Sequence, residues 1–170
     1  MISIIVAIDH NCGIGRKGEL LCHLPADLQY FKRCTQGKTV VMGERTFFSL
    51  PHHPLPHRRN IVLTDVIGKT FEGAEAAYSL EQAIQLTKDD GEIFIIGGGM
   101  VYRQFMTIAD RLYITHIDHS WDDADTFFPA IDSAEWEKTS SERHQKDEHN
   151  PYDYEFAIYQ RKARINDTKQ

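Results

Sequence analysis

Cysteine is scarce: Cys12, Cys22 and Cys34 are the only three in 170 residues. An odd number without CxxC spacing supports neither a disulfide framework nor a tetrahedral zinc site, and it suits a reducing compartment. Positive charge is also short, with 19 Lys+Arg against 25 Asp+Glu and a formal charge of −6. That balance argues against a nucleic-acid partner held by a broad basic surface, while leaving room for a local basic pocket around a small anion. No apolar run reaches the ~20 residues of a membrane span. The apolar start, Met1 to Ile8, has no basic n-region or cleavage pattern and reads as a buried strand rather than a targeting segment. Nor is there an internal repeat, a low-complexity tract or a dividing linker. None of the nine histidines has HExxH spacing; His52, His53 and His57 fall in a Pro-rich turn. Asp122-Asp123-Ala124-Asp125 lacks the calcium-loop pattern and reads as a polar turn. These absences leave a soluble single-domain protein, expected in the cytoplasm, without a nucleic-acid or membrane partner.

What is present fits that class. Hydrophobic residues make up 41% and charged residues 26%, enough for one compact core without staples. Strand-length apolar runs recur at Ile2–Ile8, Thr39–Met42, Asn60–Leu63, Glu92–Ile96 and Arg111–Ile117, rich in β-branched residues and suited to strands buried on both faces. Helical patterns alternate with them. Ser79 and Gln82 have capping-box spacing before Ala83–Lys88, and Met100–Thr107 is a second helix candidate. Strands alternating with helices predict an α/β fold with a mostly parallel central sheet flanked by helices. Trp136–Thr139 and Tyr154–Gln160 instead alternate apolar and polar residues about the polar loop Lys146–Pro151, and predict antiparallel C-terminal pairing.

Three segments carry chemistry. In Leu24-Pro25-Ala26-Asp27-Leu28-Gln29-Tyr30-Phe31-Lys32, Pro25 fits the first helical position and Asp27 shares a helix face with Phe31, while Leu28 and Phe31 are three apart. Such a stripe presents a carboxylate between an aliphatic and an aromatic group, suited to a flat ring with an amidine-like edge; an acid favouring the helix dipole beside ordinary core residues is the blander alternative. In Ile96-Gly97-Gly98-Gly99-Met100-Val101-Tyr102, glycines follow a buried strand and open a helix. They let a pyrophosphate approach the backbone, although the spacing is not GxGxxG and a ligand-free tight turn reads equally well. In Met42-Gly43-Glu44-Arg45-Thr46 the glycine is followed by a cation and a hydroxyl that suit phosphate, or by an ordinary helix start.

These segments occur in order with Met1-Ile2-Ser3, Ile14-Gly15, Pro56–Leu63, Thr115-His116 and Thr126-Phe127-Phe128-Pro129. Together they give a chain that resembles the dihydrofolate reductase family over nearly its whole length. The resemblance implies a single dihydrofolate-reductase-like α/β domain over residues 1–161, with an antiparallel C-terminal strand and a polar tail over 162–170. It implies a monomer that reduces 7,8-dihydrofolate to tetrahydrofolate with hydride from NADPH, supplies one-carbon metabolism and binds antifolates. Asp27 would be the catalytic acid, pairing with N3 and the 2-amino group of the pterin. Ile5, Ala7, Leu28, Phe31, Leu50, Leu55, Ile96 and Tyr102 would surround the ring systems, Arg58 would grip the α-carboxylate of the glutamate tail, and Thr115 would orient Asp27. Ala7, Ile14 and Gly15 would meet the nicotinamide. Gly43, Arg45, Thr46, Gly97, Gly98 and Gly99 would hold the diphosphate, with Ile96, Val101 and Tyr102 beside it and Thr64 and Gln104 at the adenosine end. No metal is implied.

The departures from the family pattern are specific. Glu44, Asp65 and Met100 stand where Arg, a small hydroxyl residue and Arg are common, and all three lower positive potential near a 2′-phosphate. A reduced preference for NADPH over NADH is therefore expected. Cys22 replaces a common Trp and Leu21 a common Pro in the loop Asp9–His23. Loss of the indole N–H removes a water-holding donor, and Cys22 reads as a buried inert thiol. Asp125 matches an aspartate that bonds and helps close that loop in some relatives. Two other readings compete: a same-fold reductase of another pterin or pyrimidine, against which Asp27 with Arg58 argues, and a silent pterin- or nucleotide-binding protein, which could dispense with Asp27.

Overall fold

The structure, a computed structural model, describes residues 1–163. Its main sheet is built from β1 (Ile2–Ile8), β4 (Thr39–Gly43), β5 (Arg59–Leu63), β6 (Glu75–Ala77), β7 (Ile93–Ile95), β8 (Arg111–Ile117), β10 (Trp136–His144) and β11 (Tyr154–Arg161). The order is β10-β11-β8-β1-β7-β4-β5-β6, with every pair from β8 to β6 parallel and β11 antiparallel to both β8 and β10. The first strand thus lies near the centre, because a strand apolar on both faces needs neighbours on both sides and cover above and below.

Alternate side chains supply two cores. Ile4, Val6 and Ile8 face a cluster with Phe105, Leu112 and Trp136. Ile5 points the other way, into a cluster with Val40, Met42, Phe47 and Phe94. The first core is covered by α3 (Leu80–Leu86) and α4 (Gly99–Met106), which contribute Ala83, Val101, Tyr102 and Phe105. The second is covered by α1 (Pro25–Thr35) and α2 (Glu44–Ser49), through Tyr30, Phe31, Cys34 and Phe47. Among the described residues no helix is long and apolar enough to cross a membrane.

Local signals hold with small changes. Pro25 opens α1, where its missing N–H costs no helical bond. Ser79 Oγ accepts from the Gln82 N–H at 3.0 Å, but the Gln82 side chain returns to the N–H of Tyr78 rather than that of Ser79, so the box is displaced by one residue. Three features differ from expectation. β10 runs on to His144 because β11 pairs along it; its exposed polar residues hid that continuation, and a register shift falls between Lys138 and Ser140. β6 is too short to show a period. Finally, part of the loop Asp9–His23 is itself sheet: β2 (Gly13–Arg16) lies between β3 (Glu19–Leu20) and β9 (Thr126–Phe127). At the C-terminus the Lys162 N–H bonds Glu135 O at 2.8 Å, so ordered structure passes residue 161 by one. Residues 164–170 of the expected tail lie outside the described residues.

Candidate active site

The carboxyl ends of the central parallel strands open on one side of the sheet, the position where α/β folds place ligands. There β1 and β8 align Ala7 with Thr115. The first turn of α1 brings Asp27 over this pair, and the buried Thr115 hydroxyl donates to Asp27 Oδ1 at 2.6 Å. Burial drives the Asp27 carboxyl above its ordinary range, and the Thr115 bond opposes that rise without cancelling it. Thr115 is the hydrogen-bond partner of the Asp27 carboxyl among the described residues, which leaves Oδ2 able to accept from a ligand.

Around this acid, Ile5, Phe31, Leu50, Leu55 and Ile96 belong to one apolar cluster, and Leu28 stands 44% exposed at its rim. Tyr102 belongs to the opposite core but reaches through to donate its hydroxyl to Ile5 O at 2.9 Å. Its part here is to fix β1 rather than to offer a free hydroxyl. Cys22 is half-buried rather than buried, and desolvation, with the Asp27 charge adding to it, pushes its thiol up to about 11. The thiol therefore stays protonated at neutral pH, as an inert group should.

Arg58 lies beyond the apolar wall. Its Nη1 donates to Thr35 Oγ1 at 2.9 Å and its Nε to Pro56 O at 3.0 Å, with the guanidinium carbon 6.0 Å from the Phe31 ring centre. No described carboxylate pairs with it, and desolvation lowers its pKa. It is a fixed, partly dehydrated cation suited to an anion supplied from outside. The turn that carries it is tied by buried Asn60, which accepts from Leu55 N–H and donates to Leu55 O and Arg58 O, each at 2.9 Å.

A glycine cradle lies beside this wall, where β4 and β7 end. Gly43 N–H donates to Gly97 O at 2.9 Å, and Gly97 sits at φ +124°. A Cβ on Gly99 would meet Thr126 Cγ2 at 2.8 Å, one on Gly43 would meet Val101 Cγ2 at 3.2 Å, and one on Gly98 would lie 3.5 Å from Thr46 Oγ1. Packing against Thr126 and Val101 thus favours glycine at 99 and 43, and the bare backbone left where β4 ends and α4 begins fits the diphosphate of a dinucleotide cofactor.

The small sheet carries Ile14 and Gly15. It is clipped at two points to a segment more than 100 residues away. Asp125 accepts the Lys17 N–H at 2.8 Å while its own N–H donates to Gly15 O at 3.0 Å. Asp9, almost fully buried, accepts from the N–H groups of Asn11, Gly13 and Trp121 at 2.8, 2.7 and 3.0 Å.

On the far side of the cradle, past β5, Thr64 donates its hydroxyl to Glu44 Oε2 at 2.8 Å, and Lys69 pairs with Glu44 Oε1. Both bonds hold the Glu44 carboxyl below its ordinary range. Arg45, Asp65, Met100 and Gln104 are exposed here. Asp9, Asn60 and Lys69 were not found from sequence. Only the capacity of Asp and Asn to bond nearby backbone could have signalled the first two, and the last is brought to Glu44 by an irregular loop.

Comparison with known proteins agrees with this geometry. The family described as dihydrofolate reductase matches residues 1–161. The chain is 44% identical to the dihydrofolate reductase of Bacillus subtilis (strain 168), covering 95% of each chain. It is also 44% identical to dihydrofolate reductase type 3 of Salmonella typhimurium, over 95% of this chain and 98% of that one. Its fold superposes with a TM-score of 0.89 and 36% identity on a dihydrofolate reductase from Enterococcus faecalis complexed with NADP(H) and RAB-propyl, covering 96% and 97% of the two chains. With a buried Asp27–Thr115 pair, a fixed Arg58 and a glycine cradle on the shared fold, the chain belongs to the dihydrofolate reductase family.

Proposed function

We propose that this protein reduces 7,8-dihydrofolate to 5,6,7,8-tetrahydrofolate, taking hydride from NADPH, and so feeds one-carbon metabolism. The observation that carries the reading is the Asp27–Thr115 pair: a desolvated carboxyl with one oxygen satisfied from within, facing an apolar wall beside a dinucleotide cradle.

Asp27 binds the pterin edge, accepting from N3–H and the 2-amino group while Thr115 fixes the orientation of the carboxylate. Its negative charge favours a proton on the bound ring at N5, where the reduction requires one. Ile5, Ala7, Leu28, Phe31, Leu50, Leu55 and Ile96 grip the flat rings and exclude water, which strengthens the Asp27 contact. Arg58 takes the α-carboxylate of the glutamate tail in a two-pronged bond. Cofactor binding falls to Gly43, Thr46 and Gly97 to Gly99 at the diphosphate, with Arg45 in reach of its charge. Ala7, Ile14 and Gly15 border the nicotinamide; Val101 and Tyr102 back the cradle, and Thr64 and Gln104 flank the adenosine. The reduced nicotinamide, when bound, supplies the hydride that goes to C6. The same pterin pocket is the place where antifolates would compete. Three unpaired cysteines support a reducing, cytoplasmic location.

The test follows reduced-nicotinamide absorbance after dihydrofolate is added, with NADPH and NADH in parallel. Dihydrofolate-dependent oxidation is expected, and its absence with both cofactors would overturn the reading.

A further inference from the structure

Sheet order gives the cofactor a direction. Asp27 and Thr115 sit over β8 and β1, and the glycine cradle over β7 and β4. A dinucleotide with its nicotinamide beside the first pair and its diphosphate in the cradle must carry its adenosine onward, over the end of β5. That end lies four strand spacings of ~4.8 Å, or about 19 Å, from β8. The residues met there are Glu44, which directly follows Gly43 of the cradle, and Thr64, which directly follows β5. Lys69 joins them from the turn closed by its own N–H on Val66 O at 3.1 Å.

Both oxygens of Glu44 are engaged, one by the Thr64 hydroxyl and one by the Lys69 ammonium. Lys69 keeps 40% of its side chain in solvent, with its ammonium 5.7 Å from the Phe71 ring centre, so leaving Glu44 disturbs little packing. Against the family pattern, this end gains an acid at Asp65 and loses cations at Glu44 and Met100. The structure adds one back, already occupied by an acid. Resting on the dihydrofolate reductase reading, we propose that Lys69 recognises the 2′-phosphate of the cofactor's adenosine ribose, and that Glu44 competes with that phosphate for Lys69 and thereby narrows the preference for NADPH over NADH.

The chemistry is symmetric. A 2′-phosphate, carrying about −1.5 to −2 charges at neutral pH, must displace a carboxylate of one charge from the same ammonium, and it then lies close to that released carboxylate. A ribose 2′-hydroxyl leaves the Lys69–Glu44 pair intact and can donate to the carboxylate. Thr64 holds Glu44 in place in both cases.

The experiment measures binding of NADP⁺ and NAD⁺ to the parent, Glu44→Gln, Lys69→Met and Lys69→Arg by titration calorimetry, with thermal unfolding of each ligand-free variant to establish folding. The quantity read is the ratio of NADP⁺ to NAD⁺ affinity. Glu44→Gln should raise it by about 5-fold and Lys69→Met should lower it by about 10-fold, as expected for loss of one competing and one attracting charge, while Lys69→Arg should keep it within about 3-fold of the parent. A ratio unmoved by Lys69→Met, or moved by Glu44→Gln in the same direction as by Lys69→Met, would overturn the proposal. If neither dinucleotide binds the folded parent, the function reading falls with it; if both bind and the ratio stays fixed, only this proposal falls.

Discussion

At the pterin end the carboxyl of Asp27 is withdrawn from water and tied to the hydroxyl of buried Thr115. At the adenosine end the carboxyl of Glu44 is also tied to a threonine hydroxyl, that of Thr64, but it shares its other oxygen with a half-exposed lysine. The two environments shift the same functional group in opposite directions: burial raises Asp27, and hydrogen bonds from Lys69 and Thr64 lower Glu44. An acid paired in solvent is a weak, adjustable contact, whereas an acid buried with a vacant acceptor is a strong one once a ligand brings the missing donors. On the proposed function, chemistry belongs at the first end and tuning at the second.

The largest effect should come from Asp27→Asn, which keeps the shape of the side chain and removes its charge. Dihydrofolate-dependent kcat/KM should fall by about 100-fold or more in steady-state assays; a loss of only a few-fold would erase the contrast between the ends. The same variant should affect stability in the opposite sense. Because folding raises the Asp27 pKa, the folded chain holds that proton more tightly than the unfolded one. The resulting stability is fully present below the ordinary carboxylate range and is lost as pH rises through the folded-state pKa. Ligand-free Asp27→Asn should therefore melt above the parent at neutral pH, with the gap closing on acidification.

Next in size is Arg58→Ala, which should raise KM for dihydrofolate by about 10-fold with little change in kcat, the mark of a contact made equally before and during reaction. A pterin without the glutamate tail should be indifferent to the change. Thr115→Val removes the one hydrogen bond that opposes the rise at Asp27. A loss of about 5-fold in kcat/KM is expected, with the apparent pKa of the pH profile moving upward. The smallest effect should be that of salt. Between low ionic strength and 0.5 M, KM for NADPH should rise by about twofold more than KM for NADH, since both carry the diphosphate and only NADPH the further exposed charge that salt screens.

Much of the pterin end was legible in the sequence because local rules fix it. Pro25 sets the start of α1, helical spacing then puts Asp27 and Phe31 on one face, and the β-branched runs identify the central strands. The contact between Thr115 and Asp27 spans 88 residues, and the family pattern rather than any local rule anticipated it. The adenosine end was half legible. Loss of cations could be read from Glu44 and Met100 and an added acid from Asp65, but the return of Lys69 depends on the path of an irregular loop. Asp9 was missed for a related reason. Its three N–H donors lie on two separate segments, and no period marks a carboxylate that is buried for its backbone contacts. The polar face of β10 hid a strand whose continuation is imposed by its partner.

The position of β1 has a consequence for synthesis. The strand leaves the ribosome before the rest of its sheet, and both of its neighbours, β7 and β8, are encoded some 90 to 110 residues later. At translation rates of about 5–20 residues per second, Ile2–Ile8 must wait roughly 5–20 s for a partner. During that interval its apolar edge is open, Asp27 has been made but Thr115 has not, and Asp9 has its own loop to hold but nothing at Trp121. The Asp27–Thr115 pair thus cannot form until β8 comes to lie against a strand made about 100 residues earlier.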